Sequence, residues 1–196
     1  MLKLTQHCPP RHAEHGVVLL EVMIAIVILA VGLLGLAKLQ ASSRQMEMES
    51  YQRSQAVILL QDMVGRLSSN NKAAACYAIT DPASGAPYLG NGAAAPANCG
   101  IGTAAQQLTA ISDLNQWHQL LNGAAETDAG NLTGAMIGAR GCIAFDAGAN
   151  IYVVSVAWQG LLESSAPAGL NCAAGLYGSE PRRRAVSAVV RIATLS

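Results

Sequence analysis

The hydrophobic and polar positions along this chain divide it into an apolar block, an amphipathic stretch and a mixed remainder. From Val17 to Ala37 every residue but one is apolar or glycine, the exception being Glu21. As an α-helix this block is about 31 Å long, close to the hydrocarbon thickness of a bilayer. The helix is expected to run on through Lys38–Ser69, which holds neither Pro nor a turn cluster. Leu39, Met46, Ala56, Val57, Leu60, Met63, Val64 and Leu67 recur there at three- and four-residue steps, with gaps over residues 47–55. From Ala56 onward they form an apolar stripe that predicts the core-facing side of a head domain. Asn70-Asn71 reads as the stop.

Beyond it the pattern changes. Residues 72–102, rich in Ala, Gly, Pro and Asn, read as one long loop. Thr103–Leu121 predicts a second helix, with Leu108, Ile111, Leu114, Trp117, Leu120 and Leu121 on one face. Short strands are expected at Ala135–Ile137 and Cys142–Phe145, a stronger one at Ile151–Trp158 and a last one over Arg183–Thr194, with a hairpin turn at Asp146–Asn150. The expected fold is α+β: a long N-terminal helix, then residues 70–196 as a head holding a second helix and an antiparallel sheet of three or four strands.

Composition sharpens this picture at two places. Only 12% of residues are charged and the formal net charge is zero, which argues against a general nucleic-acid binder. The single basic run, Arg182-Arg183-Arg184, reads as a charged strand start in solvent. The five cysteines are Cys8, which precedes the apolar block, and Cys76, Cys99, Cys142 and Cys172, which follow it. On the oxidising side of a membrane the last four allow three pairings. Cys76–Cys99 and Cys142–Cys172 are favoured because each closes a loop-rich segment. A metal site is disfavoured, since no Cys/His ligand spacing occurs in the head. His7, His12 and His15 precede the apolar block, and His118 reads as a rim histidine beside Trp117. No nucleophile elbow, phosphate-binding glycine loop or Ser/His/Asp set is legible, so neither catalytic residues nor a cofactor are expected.

The junction at the start of the apolar block carries the most specific signal. Polar residues end at Gly16, the apolar run begins at Val17, and an acid follows one helical turn later at Glu21. A charge near the centre of a membrane helix costs roughly 2.5–3.5 kcal/mol on insertion scales, so such a residue calls for a partner. Lys3 and Arg11 would hold the N-terminus in the cytoplasm.

The stretch Gly16-Val17-Val18-Leu19-Leu20-Glu21-Val22-Met23-Ile24-Ala25-Ile26 resembles the class III signal of type IV pilins and type II secretion pseudopilins. In that family a prepilin peptidase cuts after the Gly and N-methylates the new first residue. The resemblance implies that residues 1–16 are a cleaved leader and that Val17 is the methylated mature N-terminus. Residues 17–37 are then a transmembrane helix that becomes filament core, and Glu21 is the acid used in assembly. Val17 departs from the Phe usual in the family. Three later stretches, Ser50–Leu67, Asp113–Trp117 and Gly141-Cys142 with Tyr152–Gly160, Cys172 and the Arg-rich last strand, resemble the minor pilins of the PilV type. That resemblance implies a low-abundance subunit priming pilus assembly, with other minor and major pilins, prepilin peptidase, the inner membrane and the assembly machinery as partners. It also implies the inner membrane and then the extracellular pilus as its locations, with twitching motility and attachment as outputs. A minor pseudopilin of a type II secretion system is the alternative, since it shares the N-terminal pattern.

Overall fold

In the computed structural model, residues 15–96, 98–125, 127–129, 131–132 and 136–192 are described. Helix α1 runs His15–Ser69. It spans two compact units, residues 1–46 and 47–196. The first unit contributes the apolar part of α1, and the second contains its last turns and the whole head.

In the head, α1 presents Ala56, Leu60, Met63 and Leu67 to the core, all buried. Their four-, three- and four-residue spacing keeps one face inward for three turns. Val57 and Val64 lie only partly covered beside that stripe. The expected gap over residues 47–55 holds a buried polar residue, Gln52, and the anchoring carboxylate of Glu49, which periodicity of apolar residues passes over. α1 ends at Ser69, as Asn70-Asn71 predicts.

The segment expected to be one loop contains a short 3-10 helix, Asn71–Cys76, and a two-residue strand β1, Leu89–Gly90. Composition missed both because Ala and Gly carry little strand or helix pattern. Gly90 adopts a positive φ of 95°, and a Cβ there would lie 2.4 Å from the Ala139 carbonyl oxygen, so only glycine allows β1 this approach.

Helix α2, Ala104–Leu121, begins at Thr103 in a reciprocal capping box with Gln106. Its core face is Ala110, Leu114, Trp117 and Leu121. Leu108, expected on that face, is exposed, and Ile111 and Leu120 are half-buried. The inward stripe is rotated from the expected one toward Ala110, which is fully buried. Strands β2, Thr127–Asp128, and β3, Asn131–Leu132, form an unanticipated small hairpin.

The main sheet has the order β1-β4-β5-β6, with β4 Arg140–Asp146, β5 Ile151–Gln159 and β6 Arg183–Val190, all antiparallel. The Asp146–Asn150 turn joins β4 to β5, and the Asp146 carboxylate accepts the Gly148 and Ala149 amides. No strand forms at Met136–Ile137, contrary to expectation, and Ala135 lies outside the described residues. There the chain turns, leaving Met136 to pack into the core. β6 stops at Val190, with Ala193 and Thr194 outside the described residues. Tyr152, Val154, Val156 and Trp158 of β5 share one core cluster with α1 and α2.

Two disulfides close the head. Cys76 joins Cys99, with Cα atoms 5.5 Å apart, and Cys142 joins Cys172, with Cα atoms 5.8 Å apart, which is the favoured pairing. The second sits on the opposite face of the sheet with Ala157, Ala173 and Tyr177.

Candidate functional site: the apolar half of helix α1

Gly16 and Val17 fall within α1, whose first residue is His15. The helix therefore starts two residues before the hydrophobic block rather than at it. Cys8, Lys3, Arg11, His7 and His12 lie outside the described residues. From Val18 to Leu36 every large apolar side chain is exposed, on all sides of the helix. The window of highest mean hydropathy, 2.8, is wholly unburied, and α1 is the one helix among the described residues long and apolar enough to cross a membrane.

Glu21 lies on this bare surface, and among the described residues no basic side chain pairs with it. Lys38, the next cation along the helix after Glu21, is about 25 Å away at 1.5 Å per residue. A carboxylate so placed is costly in an apolar surrounding unless it is paired, neutralised or held at the interface with water. Gly32 and Gly35 share the openness: a Cβ built on either meets nothing within 4 Å. Packing among the described residues therefore places no demand on these glycines.

The later motifs occupy different ground. Arg66 donates to Asp62 at 2.8 Å and to Asp113 at 3.0 Å, joining the end of α1 to α2. The Tyr77 hydroxyl donates to the other Asp113 oxygen. Burial and the Asp113 carboxylate push the Tyr77 pKa upward. The Trp117 indole donates to the Leu59 carbonyl at 2.9 Å. A Cβ on Gly141 would lie 2.3 Å from the Trp117 ring, so the Gly141-Cys142 pair serves packing. His118 is half-buried, with Nδ1 accepting the Gly90 amide at 3.1 Å, and burial lowers its pKa. These residues hold the head together rather than form a reactive cluster.

The basic run is not the solvated strand start it resembles. Arg183 is buried, donating to Glu180 at 2.8 Å and to the Leu170 and Cys172 carbonyls. Arg184 reaches Glu49 at 3.5 Å and the Pro181 and Leu162 carbonyls. Only Arg182, beside Glu163 at 3.5 Å, stays largely in solvent. A loop lacking regular structure, residues 160–179, has carbonyls needing donors, and guanidinium groups supply them. Periodicity had no means of indicating this.

A groove of about 660 Å³ on the outer sheet face includes Asp81, Asp146 and Ser155. Asp81 accepts the amides of Ala83 and Ser84, the Ser84 bond being the main cause of its lowered pKa. Both carboxylates thus cap their own turns. Comparison with known protein families, characterised proteins and solved structures returns no significant match.

Proposed function

We propose that this chain is a minor type IV pilin, a structural subunit that helps prime pilus assembly and is built into the filament. The observation that carries the reading is the bare apolar half of α1, with Glu21 four residues after Val17, on a chain whose remaining length forms a disulfide-closed head. A helix apolar on all sides needs a non-aqueous surrounding: first lipid, then the equivalent helices of other subunits.

In this reading prepilin peptidase cuts between Gly16 and Val17 on the cytoplasmic side and methylates Val17. The subunit waits as a single-pass inner-membrane protein with its head in the periplasm, where the two disulfides form. Glu21 pairs with the cationic N-terminus of a neighbouring minor or major pilin, offsetting the cost of carrying both charges into an apolar bundle. Extracellular pili, twitching motility and attachment are the outcome.

The test replaces Glu21 by Gln, which keeps the shape and removes the charge. In a host with prepilin peptidase, Glu21→Gln protein should be cut at Val17 and inserted normally, yet be depleted from sheared pili. Wild-type incorporation of the variant refutes the pairing role of Glu21, whereas absence of the unsubstituted chain from sheared pili, or a mature chain starting elsewhere than Val17, refutes the reading. Deleting the gene should remove surface pili and leave type II secretion intact; the reverse result assigns the chain to the secretion machine.

A further inference from the structure

Among the described residues, the sheet ends on an unpaired edge. β6 is hydrogen-bonded to β5 on one side, and among the described residues no strand pairs with its other side. The Gly160 amide donates to the Arg182 carbonyl, which fixes the parity of the ladder. Arg184, Val186, Ala188 and Val190 therefore turn their backbone groups toward β5, while Ala185, Ser187 and Val189 turn theirs outward. Edges of this kind are usually blunted by Pro, Lys, a bulge or a covering segment. Ala185–Val190 contains neither Pro nor Lys, its register with β5 is unbroken, and Ser187 and Val189 are exposed.

Beside this edge, a cavity of about 310 Å³ opens between β6 and α1, lined by Glu49, Ser50, Arg53, Trp158, Arg184 and Val186 together with the Ala185 backbone side. It lies on the β6 face that carries Arg184 and Val186. Glu49 is engaged by Arg184 and by the Leu162 amide. Arg53 is exposed and forms no ion pair among the described residues. One carboxylate against two guanidinium groups leaves the cavity net positive.

We infer that the free edge of β6 is a docking site for an extended, acidic segment of another protein. That segment adds as a fifth strand to the main sheet and seats a carboxylate side chain in the cavity beside Arg53. Its backbone satisfies the outward groups of Ala185, Ser187 and Val189, and the cavity selects the side chain that faces α1. The charge decides against a second copy of β6 as occupant. Arg183–Ile192 holds three arginines and no acid, so self-pairing brings cations together while leaving the cavity's charge unmet. The inference concerns the head alone and stands or falls independently of the filament reading.

The full chain in detergent micelles is titrated into a fluorescein-labelled peptide of alternating Thr and Val with one central Glu, followed by anisotropy. Ser187→Pro removes an outward amide at an edge position where proline is tolerated. It should weaken binding by about tenfold or more, with circular dichroism and melting unchanged, whereas Ser187→Ala should bind normally. Exchanging the peptide Glu for Gln should cost about fivefold, and Arg53→Ala should erase that difference. Three results overturn the inference: no rise in anisotropy up to the highest concentration of the chain, binding untouched by Ser187→Pro in the folded variant, or equal binding of the Glu and Gln peptides. A dimer of the full chain that Ser187→Pro dissociates overturns it as well, because it gives the edge to a second copy.

Discussion

Leu29 and Met63 are both apolar residues of helix α1, yet Leu29 is 65% exposed and Met63 is wholly buried. Hydrophobicity alone does not separate their surroundings; the pattern around them does. Near Leu29 apolar residues encircle the helix, so no single face can be buried against one head. Near Met63 they fall on one stripe, backed by Asp62, Arg66 and Gln61, and a single sheet and helix suffice to cover them. One helix thus carries one half that its own chain covers and one half that it leaves bare.

The largest effects come from placing a charge in each half. Met63→Asp buries an unpaired carboxylate in the core, which costs several kcal/mol and should unfold the head, seen as loss of the cooperative melt. Leu29→Asp should leave head melting unchanged in detergent while impairing membrane insertion by roughly 2.5–3.5 kcal/mol, read by membrane fractionation. Equal melting loss from both would break the comparison.

Next is the staple of the head. Cys142→Ser together with Cys172→Ser opens a sequence separation of 30 residues and should lower head stability by roughly 3–4 kcal/mol, measured by denaturant unfolding. Gly141→Ala follows. Its Cβ would meet the Trp117 ring at 2.3 Å and Leu121 at 2.7 Å, so overpacking should cost about 1–3 kcal/mol, with the near-UV signal of Trp117 altered.

Two smaller effects depend on pH. The Tyr77 pKa is raised in the folded head. An unfolded tyrosine loses its proton near pH 10, at which the folded one keeps it. The stability from Tyr77 is therefore fully present below pH 10 and is lost as pH rises beyond it. Tyr77→Phe should flatten that alkaline decline in a denaturation series. His118 behaves in the opposite sense, because its folded pKa is lowered. Its contribution is present above about pH 6.5 and declines as pH falls through the folded value. Protonation also removes the Nδ1 acceptor of the Gly90 amide, so His118→Ala should cost about 1 kcal/mol at pH 8 and less at pH 5.

Much of this architecture is legible from local pattern. The stop at Asn70-Asn71, the second helix, the strand expected at Ile151–Trp158 and the turn at Asp146–Asn150 follow from periodicity and turn chemistry that act within a few residues. The rotation of α2 toward Ala110 was not legible, because a helix face is chosen by what packs against it. The burial of Arg183 is illegible in the sequence for a related reason. A charge run looks solvated until loop carbonyls distant in sequence are found to need its donors.

For the candidate site, the sequence by itself determined the apolar block, its length and the lone acid at Glu21, because composition along one helix requires no knowledge of neighbours. It also narrowed the cysteines to a favoured pairing. Only the tertiary structure decided that Ser50–Leu67, Asp113–Trp117 and Gly141 are fastenings of one head, through Arg66–Asp113 and Trp117 against Leu59 and Gly141. The same holds for the free edge of β6: a strand's sequence states its alternation, but whether a neighbour takes its outward hydrogen bonds depends on strand order, which arises from packing across the whole chain.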